Sequence, residues 1–310
     1  MLLTSLNDRQ AIRMNGHLLE LTHLQKRYWP IDAVTKRDML NYYHAVAPFL
    51  LPHLIDRPVA LHRFPGGIDG AHFFQKDVGG IVPQWATTYT HQTATGEVQH
   101  YLVPNDEASL LWMTAFGSLE INPWLSRCVS ADQPDYCVID LDPGHSGFDR
   151  VIQAALAVKN VLDGLLFPGY PKTSGASGIH IYIPLGAKYT YQQSSRLAKY
   201  IATEVHSQTP NYTTLERSLD KRKGKLYIDH LQNHAGATIA APYSLRPCRG
   251  ATVSMPLHWD ELKAGLLPDL FTIKNAADRL RETGDLFRGV LGKGVRLPDI
   301  ILFKLDRPNI

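Results

Sequence analysis

Two aspartates separated by one residue, Asp140 and Asp142, end a strongly apolar run that a Pro-Gly pair stops. Such a run predicts a buried strand, and because side chains alternate along a strand, both carboxylates share one face. Neighbouring carboxylates in a buried place repel each other and lose hydration, and a divalent cation of the Mg²⁺ or Mn²⁺ type removes both penalties. The pattern indicates a metal site, with backbone capping before a turn as the alternative.

A third aspartate, Asp229, interrupts another apolar run at residues 225–232. An acid in such a strand is costly unless it is paired or bound to a metal. On a neighbouring strand it would complete a site for two cations, whereas on an edge strand it would only face solvent. The basic segment 221–225 directly precedes this strand. Positive charges beside a carboxylate metal site are suited to binding a polyanionic substrate.

A segment rich in small residues, 172–178, leads into a strand with strict alternation at 179–185. Its glycines allow backbone amides to approach a phosphate, and Ser174 adds a hydroxyl donor. His180 lies on the side of the strand opposite to the isoleucines. The spacing differs from that of the GxxxxGK[ST] phosphate loop and no helical pattern follows, so an ordinary hairpin loop remains the alternative.

The composition bounds the class of protein. The chain has 310 residues, of which 44% are hydrophobic and 20% charged, as in globular proteins. This length predicts a single large domain, with two lobes divided near residue 130 as the alternative. No run approaches the about 18 apolar residues of a membrane span, and no signal peptide is recognisable, which predicts a cytoplasmic location. The three cysteines fit neither a zinc site nor a disulfide framework.

The pattern of predicted elements indicates the fold class. Thr35 followed by Asp38 predicts the capped start of a helix. Other helices are predicted at 105–115, with Asn105 as the cap, and at 149–166, 191–206, around 259 and 274–281. Strands are predicted at 58–64, 72–75, 98–103, 119–121, 238–241 and 249–253. Because strands and helices mix without a regular βαβ alternation, we predict an α+β fold with largely antiparallel sheets flanked by helices.

Three segments, 140–144, 172–182 and 227–233, resemble the catalytic motifs of the polymerase domain of bacterial ligase D, in the archaeo-eukaryotic primase superfamily. Segments 21–30, 63–70, 73–76 and 242–246 also match, so the resemblance spans nearly the whole chain in order. It implies a primase-polymerase-like catalytic core, either free-standing or excised from a longer protein.

The resemblance implies a template-directed DNA or RNA polymerase, a nucleotidyltransferase that adds ribo- or deoxyribonucleotides to primer ends. It would fill gaps at 5′-phosphorylated breaks in non-homologous end joining by a two-metal mechanism with Mn²⁺ or Mg²⁺. The implied partners are DNA with 5′-phosphorylated ends, nucleoside triphosphates, the end-binding protein Ku and a DNA ligase. The implied location is the cytoplasm, in association with the nucleoid.

The same resemblance assigns roles to individual residues. The metal ligands and catalytic residues are Asp140, Asp142 and Asp229. The residues around the incoming nucleotide are Ser174, His180, Arg222 and Arg246. The residues that bind the 5′-phosphate of a downstream strand are Lys26 and Lys36. The aromatic residues that stack near the templating base are Phe73 and Phe74, although alternation along a strand predicts that one of the two points inward.

Three positions depart from the family pattern. His62 stands where some members carry Lys, Ser177 where many carry Lys, and Asn122 where His is frequent. Each departure reduces positive charge or hydrogen-bonding capacity near the nucleotide, and so bears on triphosphate affinity and sugar selectivity. Three rival functions are a primase or primase-polymerase of another pathway, a non-catalytic protein that bridges DNA ends, and a nucleotide-sugar glycosyltransferase. The last would leave Asp229 without a role.

Overall fold

A computed structural model describes residues 1–93 and 95–297, which form two compact units. The first unit comprises residues 1–124, 238–254 and 271–284, and the second comprises 125–237, 255–270 and 285–297. Each unit is assembled from separate segments of the chain, and the first change from one unit to the other lies between residues 124 and 125. Within the described ranges, no helix has the length and apolar character needed to cross a membrane.

The described residues contain five α-helices and fourteen strands. The helices are α1 (Lys36–Leu50), α2 (Glu107–Ala115), α3 (Phe148–Gly164), α4 (Tyr191–Gln208) and α5 (Ala276–Thr283). The strands are β1 (Gln10–Met14), β2 (His17–Leu21), β3 (Arg27–Trp29), β4 (Val34–Thr35), β5 (Val59–Arg63), β6 (Phe73–Gln75), β7 (Thr88–Gln92), β8 (Val98–Leu102), β9 (Ser118–Pro123), β10 (Tyr136–Asp142), β11 (Tyr170–Thr173), β12 (Ile179–Pro184), β13 (Thr213–Thr214) and β14 (Leu226–Asp229).

The first unit contains an antiparallel sheet of order β6-β5-β8-β7, with β9 also paired to β5. The short pairs β1–β2 and β3–β4 precede it. Helix α1 begins where predicted, because Thr35 and Asp38 form a reciprocal capping box. Its buried residues recur at helical spacing, as Met39, Tyr43, Val46 and Leu50 do, and it packs against α2 and α5.

Two local predictions for the first unit are wrong. The cap of α2 is Asp106, whose Oδ1 accepts a hydrogen bond from the Ser109 amide, whereas Asn105 Oδ1 accepts from the Asp56 amide. Segments 238–241 and 249–253 form no strands and contribute only isolated bridges. Tyr243 and Ala251 have positive φ angles of 66° and 50°, which turn the chain and prevent a continuous ladder.

The second unit contains a sheet of order β11-β12-β10-β14-β13, antiparallel except for the pair β13–β14. Helices α3 and α4 pack on this sheet. Cys137 Sγ lies 3.6 Å from the Ser194 carbonyl oxygen of α4, so the face of β10 that bears Cys137, Ile139 and Leu141 is the face covered by helix. The α+β fold with antiparallel sheets is therefore confirmed.

A side chain completes the hydrogen bonding of β10 where strand pairing ends. Strand β14 pairs with β10 only from Asp140 to Asp142. At Val138 the fully buried Asn233 takes its place, since Asn233 Oδ1 accepts from the Val138 amide at 2.8 Å and Nδ2 donates to the Val138 carbonyl at 2.7 Å. The carboxamide therefore imitates one residue of a neighbouring strand two residues before Asp140.

Replacing Asn233 with Ala should lower the free energy of unfolding by about 2–4 kcal/mol, because both backbone groups of Val138 would be buried without partners. Urea denaturation would measure the loss as a lower midpoint at unchanged slope. The exposed Asn211 provides the control, since its replacement with Ala should leave the midpoint nearly unchanged. Equal midpoints for the two variants would contradict the structural role of Asn233.

Candidate active site

A row of four polar side chains crosses the sheet of the second unit. Strand register places Lys172 of β11 opposite His180 of β12, His180 opposite Asp140 of β10, and Asp140 opposite Asp229 of β14. Residues directly opposite each other in antiparallel strands share a face, with Cβ atoms about 4.5–5.5 Å apart. The row therefore lies on the face opposite to Cys137 and α4.

The three aspartates come together on this face. Asp142 lies two residues beyond Asp140 and opposite Tyr227, so it shares the face with Asp140 and Asp229. The sequence predicted the shared face of the first two, and the pairing of β10 with β14 adds the third. Their metal-binding role stays a prediction, and strand register supplies the shared face that it requires.

The ionised form of Asp142 is destabilised, which favours binding of a proton or a cation. Its pKa is raised above the ordinary value, mainly by burial; the charge of Arg222 opposes the rise, and the charge of Asp229 adds a smaller increase. Arg222 Nη1 lies 4.0 Å from Asp142 Oδ2, and its guanidinium stacks on the ring of Tyr227 at 4.0 Å. Its Nε and Nη2 donate to the carbonyls of Glu216 and Arg217, which hold this cation beside the carboxylates.

The donor chemistry of this face fits a hard divalent cation. The ligands on offer are carboxylate oxygens, which Mg²⁺ and Mn²⁺ prefer. Among residues 1–93 and 95–297, no three His, Cys, Asp or Glu side chains already converge in metal-binding geometry. Asp229 Oδ1 instead accepts hydrogen bonds from the Leu231 amide at 2.7 Å and from the Tyr227 hydroxyl at 3.2 Å. A cation would have to draw the carboxylates toward itself.

A buried lysine sets the hydrogen bonding of His180. Lys172 Nζ lies 2.8 Å from His180 Nδ1, and both side chains are almost fully buried. An ammonium at Lys172 would donate to Nδ1 and so place the ring hydrogen on Nε2, which lies 3.5 Å from Asp140 Oδ1. Sequence reasoning missed Lys172 as a site residue. The signal is its position opposite His180, which depends on the register of the β11–β12 hairpin.

The small-residue loop has a structural reason for its composition. Ser174 Oγ accepts hydrogen bonds from the amides of Ala176 and Gly178, at 3.1 and 2.9 Å. A Cβ atom on Gly178 would lie 2.3 Å from the Leu141 carbonyl oxygen of β10. Gly178 is therefore required by close approach of the loop to the strand that bears Asp140 and Asp142. The role of Ser174 and His180 toward a nucleotide stays a prediction.

In the first unit the structure brings Lys26 and Lys36 together. The Lys36 amide donates to the Lys26 carbonyl at 2.8 Å, and Lys36 Nζ donates to the Thr22 carbonyl at 3.0 Å. Lys26 Nζ donates to the carbonyl of Pro65. Burial, and then the charge of Lys26, lower the pKa of Lys36 to about 8. Lys36 is also the first residue of α1, where the helix dipole favours anions.

Phe73 and Phe74 are 45% and 56% exposed, so the expectation that one of them points inward is wrong. Both lie on the short β6, which has a single pairing partner, β5. The ring of Phe74 stacks on His62, with centroids 4.0 Å apart and planes inclined by 15°. The guanidinium of Arg63 lies 5.3 Å from the centroid of Phe73. Exposed aromatic rings held in this way can stack with a base.

Arg246 belongs to the first unit, whereas the three aspartates belong to the second. Arg246 Nε lies 3.0 Å from Glu120 Oε2, and His62 Nδ1 lies 3.7 Å from the same oxygen. Sequence reasoning named Arg246 but not Glu120. The available signal was an acid within the predicted apolar strand 119–121.

Replacing Asp229 with Asn should change metal binding and stability in opposite directions. Removal of one negative charge relieves the repulsion on Asp142, so the metal-free variant should melt about 1–3 °C above the parent. The increase in melting temperature that Mn²⁺ produces in the parent should be lost. Thermal melts with and without Mn²⁺ measure both effects, with the exposed Asp163 changed to Asn as the control. Equal stabilisation of parent and Asp229→Asn by Mn²⁺ would contradict the assignment of Asp229.

Comparison with known proteins finds one matching family and several relatives. The family profile described as "LigD, primase-polymerase domain" matches residues 35–287. A bifunctional non-homologous end joining protein LigD from Bacillus subtilis is 36% identical over 269 residues, covering 86% of this chain and 43% of the relative. A multifunctional LigD from Mycolicibacterium smegmatis is 33% identical, covering 86% of this chain and 35% of the relative.

A solved structure, the polymerase domain from Mycobacterium tuberculosis ligase D in complex with DNA, matches with a TM-score of 0.82 and 28% identity. The match covers 89% of this chain and 99% of that one. The chain spans less than half the length of the two full-length relatives. These matches confirm the resemblance found in the motifs: the chain belongs to the LigD primase-polymerase domain family, a family of metal-dependent nucleotidyltransferases.

Proposed function

We propose that this chain is a template-directed polymerase that extends primer ends and fills gaps at 5′-phosphorylated DNA breaks in non-homologous end joining. The observation that carries the proposal is the convergence of Asp140, Asp142 and Asp229 on one face of two paired strands. The names of the relatives support the pathway, and the DNA complex of the structural neighbour supports the substrate class.

In the proposed reaction the 3′-hydroxyl oxygen of the primer bonds to the α-phosphorus of a nucleoside triphosphate. The bond from that phosphorus to pyrophosphate breaks, and the hydroxyl proton leaves to solvent. When bound, two Mg²⁺ or Mn²⁺ ions supply charge neutralisation for the attacking and leaving oxygens. Asp140 and Asp142 would hold both ions, and Asp229 would complete the site on the side of the primer.

The neighbouring side chains have tasks that follow from their positions. Arg222 is held beside Asp142 and offers positive charge to the triphosphate. His180 presents its Nε2 hydrogen at the edge of the carboxylate row, and Lys172 maintains that tautomer. Ser174 shapes the loop next to β10. The assignment of Arg246 to the triphosphate rests on the family resemblance.

The first unit supplies features expected of a protein that binds DNA ends. Lys26 and Lys36 form a cation pair that suits a terminal 5′-phosphate. Phe73 and Phe74 offer exposed rings to a templating base. Ku and a DNA ligase are the proposed protein partners, because end joining requires recognition of the break and sealing of the filled strand. Action on chromosomal breaks would place the protein at the nucleoid in the cytoplasm.

Primer extension on a gapped duplex tests the proposed reaction. With Mn²⁺ or Mg²⁺ and either ribo- or deoxyribonucleotides, the parent should lengthen the primer to fill the gap. Asp229→Ala should reduce extension by about a hundredfold or more, because metal-borne charge stabilisation contributes several kcal/mol. DNA binding should be nearly unchanged, and Asp163→Ala, an exposed acid of the same unit, should extend normally. Full primer extension by Asp229→Ala would reject the mechanism. If the parent binds DNA but does not extend the primer, an end-bridging role would be indicated instead.

The lysine pair generates a second test. Lys36→Ala should remove the preference of the parent for gaps with a 5′-phosphate over gaps with a 5′-hydroxyl. In the parent that preference should decline as the pH rises through about 8, because a lowered pKa means that Lys36 loses its charge there. The ratio of the two extension rates between pH 7 and 9 measures both effects, with the exposed Lys274 changed to Ala as the control. An unchanged ratio in Lys36→Ala would count against the phosphate site.

A further inference from the structure

A buried carboxylate in the first unit has two positively polarised partners. Glu120 of β9 is 5% exposed and lies directly opposite His62 of β5, so the two side chains share a face. Its Oε2 is 3.0 Å from Arg246 Nε and 3.7 Å from His62 Nδ1. Burial alone would raise the pKa of Glu120, but His62, Arg246 and Asn122 together lower it, so the carboxylate stays ionised.

One arm of this arrangement reaches the exposed aromatic residues. His62 lies opposite Phe74 of β6, so Glu120, His62 and Phe74 form a row across three strands. The His62 ring stacks on Phe74, and its Nε2 is 3.0 Å from His72 Nδ1. The His72 ring stacks in turn on Phe64, with centroids 5.0 Å apart. The His62 ring therefore lies between the Phe74 ring and the buried carboxylate of Glu120, and its Nε2 contact with His72 helps to orient it.

The other arm reaches Arg246. Its side chain is 19% exposed, and the ion pair with a buried carboxylate keeps the guanidinium close to Glu120. A guanidinium fixed in this way can bind phosphate oxygens without first losing rotational freedom. Glu120 therefore restrains both a candidate triphosphate ligand and a candidate base-stacking ring.

We propose that Glu120 is a positioning residue that holds Arg246 for the triphosphate and the His62–Phe74 stack for the templating base. One carboxylate would then set the affinity of the protein for both substrates. This inference rests on the proposed function, because it assumes that Arg246 and Phe74 contact nucleotide and template.

Two binding measurements test it without depending on catalysis. The first is the Kd for a fluorescent ATP analogue in the presence of Mn²⁺. The second is the Kd for a gapped duplex with 2-aminopurine at the templating position, followed by its fluorescence. Glu120→Gln should raise both values about tenfold, as expected from the loss of a charge-assisted contact on each arm. In primer extension KM should rise in parallel, while kcat at saturation should stay within about threefold, a change of less than 1 kcal/mol.

Matched variants separate positioning from general damage. Glu107→Gln removes the carboxylate of another Glu–His contact in the same unit, that with His44, and should change neither Kd. Arg246→Gln should raise only the triphosphate Kd, and His62→Gln only the template Kd. Because Glu120 acts through Arg246, the double variant Glu120→Gln/Arg246→Gln should bind triphosphate no more weakly than Arg246→Gln alone.

The outcomes are distinct. If Glu120→Gln raises neither Kd, or only one, the inference is overturned even though the parent extends primers. If the parent binds neither triphosphate nor gapped DNA, the proposed function fails and this inference with it. Thermal melting establishes whether each variant is folded. Where Glu120→Gln is not folded, Glu120→Asp, which retains the charge but shortens the reach, should raise both Kd values in parallel by a smaller factor, and unchanged values would overturn the inference.

Discussion

Loss of hydration by carboxylates on the pair β10–β14, together with their mutual repulsion, is the constraint on which the second unit depends. Backbone hydrogen bonds of the sheet hold Asp140 opposite Asp229, with Asp142 on the same face, so the three residues stay neighbours while the strands remain paired. Helices α3 and α4 cover the reverse face, and Asn233 secures the strand before Asp140. The sheet thus maintains an unfavourable charge arrangement that a bound divalent cation relieves.

The buried Glu120 of the first unit provides an informative contrast. Its charge is balanced by Arg246 and His62, and its pKa lies below the ordinary value, whereas the pKa of Asp142 is raised. A balanced acid has its partners within the fold and positions them, while an acid that lacks sufficient compensation is suited to a ligand from outside. Two buried carboxylates therefore differ in function according to the charges around them: Glu120 positions its neighbours, whereas Asp142 is suited to a bound cation.

Several elements could be predicted because they depend on local pattern. The capping box at Thr35, the strand β12 and the helical stripes of α3 and α4 are all present in the structure. Other predictions were wrong where longer-range geometry decides. The composition of segment 249–253 predicts a strand, but the positive φ angle at Ala251 interrupts it, and the segment forms only isolated β-bridges. Both rings of Phe73 and Phe74 are exposed because β6 is short and, among the described strands, pairs only with β5.

The sequence by itself determined the residue types, the shared face of Asp140 and Asp142, and the family, because alternation and motif order are properties of the chain. Only the tertiary structure decided that Asp229 lies opposite Asp140, Lys172 opposite His180, and Glu120 opposite His62. Strand register decides these pairings, and a shift of one residue would move each side chain to the other face. Register depends on contacts between segments far apart in the chain, which local propensity does not specify.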